Sequence, residues 1–106
     1  MKTQTEMKAA KSSRDVMRAM KAASTATGVS IQDMLAPGRH LYNITDARAI
    51  AIYLCARKLN VRGTEIAKAF GRSSPCVSHS CSKVEERVKC DKKFSALVSQ
   101  SVVELN

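Results

Sequence analysis

Residues 64–79 read TEIAKAFGRSSPCVSH, and this stretch has the order of a helix, a tight turn and a second helix. The first helix is predicted from Thr64 to Phe70, because Ile66, Ala67 and Phe70 fall at the spacing of one inward face. Gly71 follows where the chain must turn, and a residue without Cβ takes positive φ there at no steric cost. Ser73 or Ser74 then caps the next helix through its hydroxyl, and Pro75 suits its first position, where the missing N–H would have had no partner. Val77, Cys81, Val84 and Val88 recur at steps of four, three and four, which makes one apolar stripe. Pro75, Cys76, His79, Ser82, Lys83 and Glu86 lie roughly opposite it. The recognition helix is therefore expected over about 74–89, with the turn near 71–74. Ala67 is small where two helices must cross closely, and Gly71 and Val77 follow it by four and ten residues, as a helix-turn-helix requires.

The rest of the chain agrees with a DNA-binding reading. It has 106 residues, enough for one modest core, with 18 Lys plus Arg against nine Asp plus Glu, a formal net charge of +9. That excess favours polyanions. Aromatics are few (Tyr42, Tyr53, Phe70 and Phe94, with no Trp), which argues against single-strand binders that stack bases on aromatic platforms. No apolar run is long enough to span a bilayer, and the N-terminus lacks a secretory signal, so a cytoplasmic, nucleoid-associated protein is expected.

Neither metal nor catalysis is expected. Cys55, Cys76, Cys81 and Cys90 contain no C-x-x-C pair, and on one helix Cys76 and Cys81 would point about 140° apart. Small apolar side chains are the better reading of them. Cys76 and His79 stand at i, i+3 spacing, but nothing nearby supplies an oxyanion site, and no other catalytic grouping is present. No cofactor signature is found.

Along the chain, residues 1–11 read as a basic flexible arm and 12–106 as the domain. Ser12 or Ser13 is expected to cap a helix carrying Val16, Met17, Met20 and Ala23 and ending near Gly28. Ser30 caps a short second helix with Ile31, Met34 and Leu35 inward, which Pro37 and Gly38 end. A third helix from Ala47 to Leu59, capped by Thr45 or Asp46, is apolar on most of its circumference and belongs at the centre. Asp91 caps a last helix with Phe94, Leu97, Val98 and Val102 inward. The fold class is all-α, a compact bundle of about six helices containing a helix-turn-helix.

These residues resemble the C-terminal DNA-binding domain of the bacterial replication initiator DnaA, a helix-turn-helix of the Trp-repressor-like class. The resemblance covers roughly residues 13–105 and rests on four stretches. Residues 28–35, GVSIQDML, resemble Gly-Val-Ser-x-x-Asp-Leu-Leu, and 48–54 resemble Arg-Gln-x-Ala-Met-x-Leu. Residues 65–71, EIAKAFG, and then Val77, His79, Cys81, Lys83, Val84 and Glu85 continue the pattern. Where the family carries Gly-Gly-Arg-Asp-His-Thr-Thr-Val, this chain has Gly71, Arg72, Ser73, Ser74, Pro75, Cys76 and Val77. The base-reading edge is thus rewritten, and Tyr42 stands about where the family's minor-groove arginine is expected, with Arg39 and His40 nearby. The chain also lacks the phosphate-binding loop of the initiator's ATPase.

The resemblance implies double-stranded DNA as partner and, as function, sequence-specific binding by a small transcription regulator, of phage or gene-transfer-agent activator type, with a preference other than the DnaA box. The alternatives are a replication modulator at or near initiator sites, and an interaction module recruiting RNA polymerase or another regulatory protein. Such a partner would use the N-terminal helix or the Val102–Leu105 end. The expected DNA-binding residues are Arg39, Tyr42, Arg48, Arg72, Ser73, Ser74, Pro75, Cys76, His79, Ser82 and Lys83. Of these, Arg48, Arg72, His79 and Lys83 match family positions near the phosphate backbone, the other reading of Arg48 and Lys83 being an ordinary solvated helix face. Ser73, Ser74 and Cys76 would face the major groove. Monomer and homodimer both remain open.

Overall fold

The computed structural model describes residues 4–35 and 42–105, and the side chains of 14–35 and 44–105. Every element among them is helical: α1 (Gln4–Thr27), α2 (Ile31–Leu35), α3 (Tyr42–Tyr53), α4 (Gly63–Phe70), α5 (Ser74–Cys90) and α6 (Lys92–Leu105). A π-helical turn, Leu54–Lys58, prolongs α3. Its wider loop is closed by the Leu59 N–H donating to the Leu54 carbonyl at 3.0 Å, and Asn60 then turns the chain at φ 55°, a region that Asn tolerates better than most residues.

The ends of these helices follow from local chemistry. Gly28, at φ 77°, stops α1. The Ser30 hydroxyl accepts from the Asp33 N–H at 3.1 Å to start α2, and an Asp91 carboxylate oxygen accepts from the Phe94 N–H at 3.1 Å to start α6. Gly71, at φ 64° and ψ 37°, ends α4 in a Schellman arrangement. In it the Arg72 N–H reaches the Ala67 carbonyl at 2.8 Å and the Gly71 N–H the Lys68 carbonyl at 3.4 Å.

Four expectations are corrected. The first helix does not start at Ser12 or Ser13: its backbone is already helical at Gln4, so residues 4–11, read as an arm, extend α1. The third helix does not start at Ala47 under a Thr45 or Asp46 cap but at Tyr42, and Asp46 instead accepts from Arg87 at 2.6 Å. Leu35 is 41% exposed rather than inward, because a helix of five residues has room to bury Met34 and part of Ile31 only. Pro75 takes the second helical position, not the first, since Ser73 rather than Ser74 is the cap; the backbone N–H missing there still has no partner inside the helix.

At the centre, α3 buries Ile44, Ala47, Ile50, Ala51, Ile52 and the following Leu54 and Cys55. It packs on α1, α2 and α5, and α1 makes its most extensive packing with α6. Both α1 and α5 pack on α3, α4 and α6. No described helix is long and apolar enough to cross a membrane.

Candidate nucleic-acid interface

The helix-turn-helix is built from α4, the Gly71 turn and α5. Ile66, Ala67 and Phe70 bury the inner face of α4, and Val77, Cys81 and Val84 that of α5, with Val88 half-buried behind them. Burying these stripes orients α5 so that Ser73, Ser74, Pro75, His79, Ser82 and Lys83 are all exposed, together with Arg72 in the turn. Ser73, in extended conformation at φ −86° and ψ 158°, accepts from the Cys76 N–H at 3.3 Å. Its hydroxyl is thus committed to the helix end. Ser74, one residue later, has no such task, and its hydroxyl stands at the solvent-facing tip of α5.

A hollow of about 180 Å³ separates the start of α5 from α3. It is lined by Thr45, Arg48, Ala49, Ile52, Arg72, Cys76 and Ser80. Arg48 is not a solvated surface residue, as one reading of the sequence allowed: it is 7% exposed, and its Nε donates to the Met34 carbonyl at 2.6 Å, tying α3 to the end of α2. Burial lowers its pKa, and the charge of Arg72 lowers it further. Two guanidinium groups therefore repel each other at a small hollow, and an anion placed there would weaken that repulsion. Cys76 is half-buried against the same hollow.

The far half of α5 carries one local and two long-range charged pairs. Arg87 Nη1 donates to Asp46 on α3 at 2.6 Å and Nη2 to Asp91 at 3.3 Å, while its guanidinium lies 3.9 Å from the centroid of the Phe94 ring on α6. Arg57, in the π-helical turn, donates from Nε to Glu85 at 2.8 Å. These pairs are partly exposed, so water screens each of them and each contributes little alone.

Arg72, Ser73, Ser74, Pro75, His79, Ser82 and Lys83 are exposed and Cys76 is half-buried, and Arg48, Arg72 and Cys76 line the same hollow. Arg39, His40 and the side chain of Tyr42 lie outside the described residues; the Tyr42 backbone is the first residue of α3. Sequence reasoning missed Thr45 and Ser80, which bring two hydroxyls to the hollow. A signal for both exists, because Ser80 follows Cys76 by four residues and Thr45 precedes Arg48 by three, which puts each pair on one helix flank.

Among the described residues, no three His, Cys, Asp or Glu side chains are grouped to hold a metal ion. All four cysteines are free thiols, two of them, Cys55 and Cys81, buried. Burial is the main cause that pushes Cys55 up to about 12 and raises Cys81, which keeps both thiols protonated and unreactive.

Comparison with known proteins agrees with this geometry. The chain is 39% identical over 71 residues to the chromosomal replication initiator protein DnaA of Aquifex aeolicus, a match covering 66% of this chain and 18% of that protein. It is 37% identical over 79 residues to the DnaA of a Picosynechococcus species, covering 74% of this chain and 17% of the relative. In both cases the chain spans less than a fifth of the relative's length. A family model described as the bacterial DnaA protein helix-turn-helix matches residues 16–84, which runs from α1 through the buried stripe of α5, and the chain belongs to that family.

Proposed function

We propose that this protein binds double-stranded DNA sequence-specifically through α5 and acts as a small regulator of transcription with a preference other than the DnaA box. The single observation that carries the reading is the uncommitted, exposed N-terminal end of α5, set beside the Arg48–Arg72 hollow. A helix-turn-helix touches bases with that end of its second helix. Ser74 offers both a donor and acceptors to base edges, and Pro75 an apolar contact for a thymine methyl. His79, Ser82 and Lys83 follow along the outward stripe, with Lys83 and Arg72 suited to phosphate oxygens.

The hollow fits the phosphate role. A backbone phosphate seated there would meet Arg72 from the turn and Arg48 from α3 together with the hydroxyls of Thr45 and Ser80. The distinct preference follows from chemistry at the tip: Ser73, Ser74, Pro75 and Cys76 cannot reproduce the contacts of the family's Asp, His and Thr residues, and each good base contact is worth about 1–3 kcal/mol of discrimination.

The test is fluorescence anisotropy of labelled duplex across a salt series. The logarithm of affinity is expected to fall linearly with that of salt, and Arg72→Gln and Lys83→Gln should each lower the slope by about one, as loss of one phosphate contact does. Slopes identical to that of the unmodified protein would remove both residues from the interface.

A further inference from the structure

The hollow between α3 and the start of α5 carries more positive charge than one DNA phosphate balances. Arg48 and Arg72 both line it, and no carboxylate does. Among the described residues no carboxylate pairs with Arg72 elsewhere, and Asp46, next to the Thr45 of the lining, is engaged by Arg87 at 2.6 Å. A phosphodiester of the DNA backbone brings a single negative charge, whereas a phosphate monoester brings about 1.5 to 2 at neutral pH together with three acceptor oxygens.

The protein alone places these groups. Arg48 is 7% exposed and fixed through Nε to the Met34 carbonyl at 2.6 Å, and Arg72 follows the Gly71 turn, its N–H bonded to the Ala67 carbonyl at 2.8 Å. Thr45 on α3 and Ser80 on α5 bring one hydroxyl from each wall, and neither hydroxyl is hydrogen-bonded to another described residue. Ala49 and Ile52 add apolar lining, which suits the carbon of an ester, and about 180 Å³ leaves room for several waters and hence for a phosphate group.

We infer that this hollow binds the phosphate monoester of a small molecule. The charge selects that occupant: two guanidinium groups that repel each other are balanced by a dianion, while a carboxylate or a backbone phosphodiester leaves one of them uncompensated. The hydroxyls of Thr45 and Ser80 donate to further phosphate oxygens. A bound monoester also excludes a DNA phosphate from the same place and so weakens duplex binding. That consequence, unlike the site itself, rests on the proposed seating of the DNA backbone in the hollow.

The experiment uses the full chain without duplex and follows alkylation of Cys76, which lines the hollow, by the neutral reagent iodoacetamide, with exposed Cys90 as the internal control. Ionic strength is held constant with sodium chloride. Methyl phosphate is expected to slow Cys76 and not Cys90, and dimethyl phosphate, a monoanionic diester, to slow neither. Arg72→Gln and, separately, Ser80→Ala should each raise the methyl phosphate concentration needed for half-protection about tenfold, as loss of one hydrogen bond to a charged group does. Their melting temperatures should match the native protein's, since Arg72 is exposed and the Ser80 hydroxyl holds nothing together. No protection by methyl phosphate, equal protection by dimethyl phosphate, or unchanged protection in both variants overturns the proposal. Duplex anisotropy then separates this site from the DNA reading: at constant ionic strength methyl phosphate should weaken duplex binding to the native protein, and less so to the Ser80→Ala protein. Protection of Cys76 without any loss of duplex affinity would uphold the monoester site and remove only the DNA backbone from the hollow.

Discussion

Ser73 and Ser74 are adjacent and chemically identical, yet one hydroxyl is bonded to the Cys76 N–H and the other is not. Ser73→Ala should therefore destabilise the fold by about 1 kcal/mol in urea melts, the usual cost of a lost N-cap, while leaving the ranking of DNA sites intact. Ser74→Ala should do the reverse: unchanged melts, and a loss of discrimination at one base position of about 1–3 kcal/mol in titrations against mismatched duplexes. Gly71 sets a different constraint. A Cβ built there meets nothing within 4 Å, so the cost of Gly71→Ala comes from backbone conformation alone, at φ 64°. That cost is about 1–2 kcal/mol, to be read from the same urea melts, and Gly71→Asn should cost less because Asn tolerates the left-handed region.

At the scale of helices, α5 presents three environments for cysteine along its length. Cys81 is buried with a raised pKa, Cys76 lies half-buried at the proposed phosphate hollow, and Cys90 is exposed at the far end. In the folded protein an alkylating reagent should modify Cys90 first and Cys76 more slowly, with Cys55 and Cys81 reacting only after unfolding. Duplex should protect Cys76 and not Cys90; equal protection of both, or of neither, would move the DNA away from the N-terminal end of α5.

The junction between α5 and α6 carries a pH dependence. The Phe94 N–H, and then the Arg87 guanidinium, hold the Asp91 carboxyl below the usual carboxylate range. A depressed folded pKa means that the stabilisation is complete above the ordinary Asp value of about 3.9 and is lost as pH falls through the folded value. Asp91→Asn retains a cap but not the charge, so it should be less stable than the native protein at neutral pH, with the difference shrinking below about pH 4.

Helix ends were legible in the sequence where their cause is local. Ser30, Ser73, Asp91, Gly28 and Gly71 act on neighbours within a few residues, and each stands where a helix starts or stops. The start of α3 was not legible, because Asp46 has the residue type of a cap but is held by Arg87, 41 residues away in sequence. The burial of Arg48 was hidden for the same reason, its partner being a backbone carbonyl on another helix. Of the candidate site, the exposed face of α5 followed from its 3.6-residue periodicity, whereas the hollow between α3 and α5 depends on how the two helices pack.

For the molecule as a whole, a formal charge of +9 on 106 residues is spread over several elements, with exposed Arg72 and Lys83 in the turn and on α5 and exposed Arg14, Arg18 and Lys21 on α1. Charge alone makes binding tight at low salt and indifferent to sequence. On the proposed reading, specificity comes from the few side chains at the tip of α5, and those are the residues in which this chain departs from the family pattern. The most direct measurement is selection of bound sites from a random duplex library, followed by titration of the enriched duplex against a DnaA box at physiological salt. A single enriched motif, bound more tightly than the DnaA box and no longer preferred by the Ser74→Ala protein, is the predicted result. Enrichment of the DnaA box itself, or no enrichment at all, would contradict a rewritten reading edge on α5.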